Sequence, residues 1–316
     1  KRKYNVSYDA AKETVVTVGG SEAIDIALRA MINPGEEVLI PQPSYVSYEP
    51  CAILAGAKPV IIDLKAENEF RLTAQELRDA ITDKTKVLIL PFPNNPTGAI
   101  MERKDLEAIA EVILEKDIFV ISDEIYSELT YNGKHVTIAE LPGMQERTIV
   151  INGFSKAFAM TGWRLGYLIG PAEVIEGAKK VHDFLTVGAA APLQEAATVG
   201  LNFPESYYEN LLEVYTKKRA YFLNGLDRIG LKHNVPQGTY FVMIDIQEFL
   251  DLPQFKGWTD LEFCEWMIVN IGVAAVPGSS FFKEEVNHLI RLHFAREEKT
   301  MDEALARLAK LQELLK

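Results

Sequence analysis

Short apolar runs alternate with amphipathic stretches through the first two-thirds of the chain. Residues 14–18, 38–40, 59–62, 87–90, 118–121, 148–151 and 165–169 are rich in Val, Ile and Leu and are bounded by turn formers, the pattern of strands buried on both faces. Between them the spacing changes to that of helices. Residues 103–116 place Leu106, Ile109, Ala110, Ile113 and Leu114 on one face. Asn33-Pro34-Gly35 ends the helix before it with turn residues. Alternating strand and helix predicts an α/β fold in which a mainly parallel seven-stranded sheet is flanked by helices. After about Pro204 the order changes to a long helix over 205–229, a strand over 239–245, a helix over 259–270, a strand over 289–294 and a final helix from Thr300. Residues 1–203 are therefore expected to form a large domain and residues 204–316 a smaller α+β domain.

The 316 residues suffice for two cores, and 48% apolar content fits a globular chain. The net charge of −12 argues against a nucleic-acid binder, which needs a basic face. It leaves small anions open, because one buried Arg or a helix N-terminus binds phosphate on an acidic protein. Cys51 and Cys264 are the only cysteines and form no CxxC pair, so a disulfide scaffold is not expected. The apolar runs are too short to cross a bilayer and no secretory signal is recognised from Lys1, which together predict a cytoplasmic protein.

Ligands of open α/β sheets sit at strand ends, so chemistry is sought there. Gly19-Gly20-Ser21-Glu22 follows the first strand. It reads either as an anion cradle at a helix N-terminus or as a tight turn with Ser21 as N-cap. It is neither a P-loop nor the dinucleotide fingerprint. Pro93-Asn94-Asn95-Pro96-Thr97-Gly98 is a turn in any protein, or a rigid loop presenting Asn95. Ser122-Asp123-Glu124-Ile125-Tyr126 puts an acid at a buried strand end, either catalytic or capping a helix. Gly153-Phe154-Ser155-Lys156 offers an amine that burial would make a nucleophile for carbonyl carbon, or simply a solvated charge. Arg164, in Gly162-Trp163-Arg164, has a planar fork suited to phosphate. Arg291 lies in an apolar strand, where it needs a structural acid or a substrate carboxylate as partner.

Each signal is weak alone. Their order is Gly-Gly-Ser-Glu, Pro-Ser-Tyr, Asn-Pro-Thr-Gly, Asp-Glu-x-Tyr, Ser-Lys, Gly-Trp-Arg-x-Gly and a late Arg-Leu-x-Phe. Over nearly the whole chain this order resembles the class I/II aminotransferases of fold type I, which depend on pyridoxal 5′-phosphate (PLP), and especially the prokaryotic aspartate and aromatic branch. The most specific part is NGFSKAFAMTGWRLG from Asn152 to Gly166. The resemblance implies that Lys156 holds PLP covalently and then moves the substrate's proton. It implies that Asp123 pairs with the pyridine nitrogen, that Asn95 and Tyr126 bond the 3′-oxygen, and that Tyr45 stacks on the ring. It assigns the phosphate to Gly20, Ser21 and Glu22, largely through backbone, with Ser155 and Arg164, and the substrate α-carboxylate to Arg291. Amino acids and 2-oxo acids are the implied small-molecule partners, and a homodimer with the site at its interface is the implied assembly. Two departures stand out. Gly153 replaces a Ser common in the family, so one hydrogen bond to the phosphate is expected to be absent or supplied by another group. The family also carries several dozen residues ahead of the 14–18 strand, supplying part of the lid and a tyrosine for the neighbouring subunit's phosphate, and such a segment is expected here too.

No arginine lies between Arg164 and Arg219, so one cation route to a distal carboxylate is missing. A broad α-amino-acid:2-oxo-acid aminotransferase, with 2-oxoglutarate as acceptor, is the resulting expectation. A carbon–sulfur β-lyase or related synthase uses the same cofactor residues, and a PLP-sensing domain of a regulator is an alternative of another class. A nicotinamide dehydrogenase is disfavoured by the absent glycine fingerprint. His135, His182, His233 and His288 show no metal spacing and read as surface or satisfied positions. His293 shares a strand face with Arg291 and reads as core packing, with the substrate border as the alternative. Trp258 and Trp266 read as small-domain core.

Overall fold

The computed structural model describes residues 3–316; Lys1 and Arg2, where the signal reading begins and the large domain was expected to start, lie outside the described residues. All seven predicted strands of the first two-thirds are present. They are β1 (Thr14–Thr17), β2 (Glu37–Gln42), β3 (Lys58–Asp63), β4 (Thr85–Leu90), β5 (Phe119–Asp123), β6 (Thr148–Gly153) and β7 (Gly166–Ile169). They form one sheet in the order β1-β7-β6-β5-β4-β2-β3. Only β7 runs against the rest, pairing antiparallel with both β1 and β6. The carboxyl ends of the other six therefore share one edge.

Both faces of the sheet are covered, which explains why its strands read as unbroken apolar runs. Val38, Ile40, Val87 and Ile89 belong to one core with α1 (Gly19–Met31) and α2 (Tyr48–Leu54). Leu39, Leu88 and Leu90 point the other way, into a core with α3 (Ala74–Ala80) and α4 (Arg103–Lys116). The alternation is the period-2 geometry of a strand applied to a sheet with two interiors. Each fully buried Leu or Ile here contributes about 1.5–3 kcal/mol relative to exposure. Helix α4 has the predicted bounds, but its buried stripe differs: Val112 is buried and Leu114 is 41% exposed.

Two helices not read from the sequence follow β7: α5 (Ala172–Thr186), which packs on α1, and α6 (Ala191–Leu201). Then come α7 (Glu205–Arg228), β8 (Phe241–Asp245), α8 (Gln247–Leu250), α9 (Asp260–Asn270), β9 (Val276–Pro277), β10 (Leu289–His293) and α10 (Glu298–Leu308). Strands β8, β10 and β9 form a second, antiparallel sheet over its own core, with Trp258 and Trp266 packed against that core. The two-residue β9 is too short to leave a periodic signal. Strand β8 begins two residues later than expected because Thr239 sits at φ 59°, outside strand geometry. Thr259 closes a capping box with Glu262 and so fixes the start of α9 one residue beyond it. Both cysteines are free, and no described helix is long and apolar enough to cross a membrane.

Candidate active site

The shared edge of the large sheet opens into a cavity of about 170 Å³. Five connections that leave carboxyl ends of strands converge on it. The turn after β1 brings Gly20 and Ser21, the loop after β2 brings Tyr45 and Tyr48, and the loop after β4 brings Asn95. The end of β5 brings Asp123 and Tyr126, and the turn after β6 brings Ser155 and Lys156, with Arg164 entering just before β7. Nine of the sequence candidates thus line one cavity. Glu22 and Arg291 are not among its walls.

The glycines explain how backbone comes so close. Gly19 has φ 80°, and a Cβ there would stand 2.5 Å from Nη2 of Arg164. A Cβ on Gly166 would stand 2.6 Å from the carbonyl carbon of Gly19. The start of α1 therefore lies directly on β7 with the guanidinium across it, and Arg164 itself holds φ 55° while donating from Nη1 to the Thr161 carbonyl at 3.0 Å. Free N–H groups of a helix N-terminus beside an arginine make an anion site. The turn-and-cap alternative for this segment is corrected: the helix already begins at Gly19, and Ser21 lies inside its first turn, with Oγ 3.4 Å from the Tyr45 hydroxyl. Glu22 faces away. Its carboxylate accepts from the Val18 N–H at 2.5 Å and from Thr186 Oγ1 at 2.7 Å, and His182 Nδ1 is 2.8 Å away. Any anion contact at Glu22 is thereby limited to backbone. Gly153 is not simply a missing serine, because it pairs with Gly166 across β6 and β7, and a Cβ would lie 2.9 Å from the Gly166 Cα.

Asp123 ends β5 and is buried. It caps no helix: one oxygen accepts from the Ile125 N–H at 3.2 Å, the other from the Tyr48 hydroxyl at 2.7 Å. Among the described residues it has no ion pair. Burial is the main cause that raises its pKa above the ordinary carboxylate range, with the Tyr48 and Ile125 hydrogen bonds opposing. Tyr48 was not singled out in the sequence. Its position one helical turn after Tyr45 is the only trace, and its role depends on where α2 packs. Burial, then Asp123, pushes its own pKa well up, so it stays a donor.

Asn94 makes the next loop rigid, donating to the Pro43 carbonyl at 3.0 Å and accepting from Thr97 Oγ1 at 2.7 Å, which leaves Asn95 to project inward. Asn95 Oδ1 accepts from Nη1 of Arg291 at 2.5 Å. Arg291 reaches in from β10 and lies against the rings of Phe241 and Phe281, 4.1 and 4.7 Å from their centroids. Burial is the main cause that lowers its pKa. No carboxylate pairs with it among the described residues. Lys156 Nζ lies 5.4 Å from the Tyr126 ring centroid and 5.8 Å from that of Tyr240. His293 packs edge-on to Tyr240, and burial, then Arg296 and Arg291, lowers its pKa, which favours the neutral ring.

The cavity is lined by a buried carboxylate without an ion pair among the described residues, a glycine-floored anion site beside Arg164, the Lys156 amine and the Tyr45 ring. A planar, phosphorylated aldehyde with a basic ring nitrogen meets each of these groups with the complementary charge, and the protein is accordingly of the class that works through PLP. Residues 1–308 match the family model described as aminotransferase class I and II. The chain is 40% identical over 314 residues to an aspartate aminotransferase of Pyrococcus abyssi, covering 98% of this chain and 79% of that protein. It is 34% identical to kynurenine–oxoglutarate transaminase 1 of Mus musculus, covering 93% of this chain and 76% of that one. The crystal structure of an aromatic aminotransferase from Pyrococcus horikoshii superposes with a TM-score of 0.92 at 38% identity, covering 99% of this chain and 84% of that one. The chain belongs to the class I and II aminotransferases, PLP-dependent enzymes of amino-acid metabolism, and shares their fold type I architecture.

Proposed function

We propose that this aminotransferase moves the amino group of a broad set of α-amino acids to a 2-oxo acid, with 2-oxoglutarate as the main acceptor. The observation that carries the substrate side is Arg291: a half-buried guanidinium, held against two phenyl rings, whose hydrogen bond goes to a neutral amide. Cations drawn this far from water are otherwise paired, and a carboxylate common to donor and acceptor is the natural partner. PLP, when bound, supplies the electron sink that makes the substrate Cα–H acidic. Lys156 Nζ would hold the cofactor and would carry the proton away from the substrate Cα. Asp123, fixed by Tyr48, keeps a proton on the ring nitrogen. Asn95, whose Oδ1 accepts from Arg291, would donate through its amide nitrogen to the cofactor's 3′-oxygen, and Tyr126 would donate to the same oxygen. Gly20, Ser21, Glu22 through its backbone, Ser155 and Arg164 hold the phosphate, and Tyr45 packs on the ring. The name of the mouse relative supports oxoglutarate as acceptor. A homodimer is supported by the apolar surface at the end of α5 and on α6, where Phe184 is 89% exposed and Val187 81%.

The decisive experiment is the absorbance of PLP-loaded protein during additions of single amino acids and then of 2-oxo acids. A band that a donor discharges and 2-oxoglutarate restores supports transfer. Ammonia and pyruvate as products would instead mean a lyase. Arg291→Lys keeps the charge but loses the planar fork and the reach to Asn95. It is expected to raise KM for donor and acceptor alike by about 100-fold, the worth of a bidentate charge-assisted contact, with a smaller fall in kcat. A KM unchanged for both substrates would remove Arg291 from the carboxylate site.

A further inference from the structure

Phe281 is 4% exposed, yet it belongs to none of the apolar cores that the described residues form. A buried phenyl ring normally packs among other apolar side chains. Here it meets a cation: the guanidinium carbon of Arg291 lies 4.7 Å from the ring centroid. Phe241, the other ring against Arg291, shares a core with Tyr126 and Leu129 and so has a packing reason for its place. Phe281 ends the turn Gly278–Phe281, which follows β9 directly, and β9 pairs with β10 at Arg291 itself. Asp260, fully buried in the first turn of α9, accepts from the Ser279 N–H at 2.7 Å and pins that turn. The Phe281 carbonyl accepts from the Ser44 N–H at 3.2 Å, one residue before Tyr45. The turn thus joins the strand that carries Arg291 to the loop that carries Tyr45. Phe281 also borders a cavity of about 60 Å³ beside Ser44 and Tyr45, so its side chain is not closely packed all round.

A guanidinium recognises a carboxylate as a planar fork, so its orientation matters as much as its charge. Among the described residues the Arg291 head group makes one hydrogen bond, from Nη1 to Asn95 Oδ1. A planar group held by one hydrogen bond can still turn about it. Contact with a π face restricts that turning through attraction for the positive charge. A carboxylate in the place of Phe281 would fix the guanidinium too, but it would neutralise the charge and compete with the substrate. A phenyl ring does neither. We propose that Phe281 is a positioning residue whose ring orients the Arg291 guanidinium for the substrate carboxylate. The proposal rests on the reading in which Arg291 binds that carboxylate.

The test is steady-state kinetics of PLP-loaded enzyme with an amino donor and 2-oxoglutarate. Beside it stands calorimetric binding of 2-oxoglutarate to the PLP form, which has no amino group to give it. Phe281→Leu is expected to raise KM for donor and acceptor by about tenfold and to weaken that binding equally, the worth of a partly desolvated cation–π contact. The kcat should stay within about threefold, because the lost contact holds substrate and reacting groups alike in ground and transition states. Unchanged KM and unchanged binding overturn the proposal. A loss of packing alone would show in the apo melting curve and not in this split. If the Leu variant melts early, Phe281→Met fills the space without a ring face and should give the same rise in KM. Phe281→Tyr keeps the ring face and should stay within about twofold of wild type; a KM as high as in the Leu variant counts against the proposal. In an Arg291→Gln background, Phe281→Leu should change kcat/KM by less than about twofold. The full effect there would mean that Phe281 acts without Arg291, and it overturns the proposal. An Arg291→Gln variant with KM unchanged for both substrates would instead bring down the carboxylate reading beneath it.

Discussion

Lys156→Ala is expected to lower turnover by at least about 10⁴-fold, the upper range for loss of a positioned proton carrier. The loss of the covalent tie to the cofactor is added to this. The side chain stands between Tyr126 and Tyr240 at the cavity wall, and no other lysine among the described residues lines that cavity. The residue is in a turn, its side chain supports neither sheet, and the variant should fold with an unchanged melting temperature. The check is a pair of measurements. The absorbance band of lysine-bound PLP should be missing while the variant still binds PLP through the Arg164 end. Single-turnover reaction with an amino donor should proceed, if at all, only over hours. Turnover within about tenfold of wild type would show that another group moves the proton.

Asp123→Asn should have the second-largest effect, and its two consequences have opposite sign. Activity is expected to fall about 10³-fold, the scale seen when one preorganised electrostatic partner is removed from a reacting group. Stability of the apo protein is expected to rise, with a melting temperature about 2 °C higher at neutral pH. The carboxylate is buried with two hydrogen bonds and, among the described residues, no ion pair; burial outweighs these bonds and the more distant Lys156 charge, so its ionised form is costly in the empty site. The dependence on pH follows from the raised pKa. A group that binds its proton more tightly when folded contributes stability at low pH and loses it as pH rises through the folded value. The gain from Asn should therefore vanish in acid and grow toward neutral pH. PLP should narrow or reverse the difference if, as proposed, its ring nitrogen pairs with Asp123. Equal melting temperatures for both apo proteins across that range would show that the ionised carboxylate costs nothing where it sits. A site held at a cost to the empty fold is the expected trade between stability and function.

The apolar patterning and the turn formers were enough to place seven strands, the long helix α7 and α4 to within a few residues, because those elements are set by local periodicity and by burial on both faces of one sheet. Helices α5 and α6 were missed. The second is made of small apolar residues such as Ala196, Ala197 and Gly200, which give little contrast between faces. The motif order also determined which side chains would meet, since parallel strands deliver every following loop to one edge and nine candidates line one cavity there. What lies beyond the strand ends was decided only in three dimensions. That Glu22 turns to His182, that Gly153 must be glycine to lie on Gly166, and that Tyr48 holds Asp123 all depend on elements more than a dozen residues apart. Arg291 and Tyr240 meet Asn95 and Tyr126 only because the second sheet comes against the loops that follow β4 and β5. Periodicity is a property of neighbouring residues and is written in the chain itself. The direction of a side chain across a packed boundary is set by the shape of its partner, which exists only once both surfaces have formed.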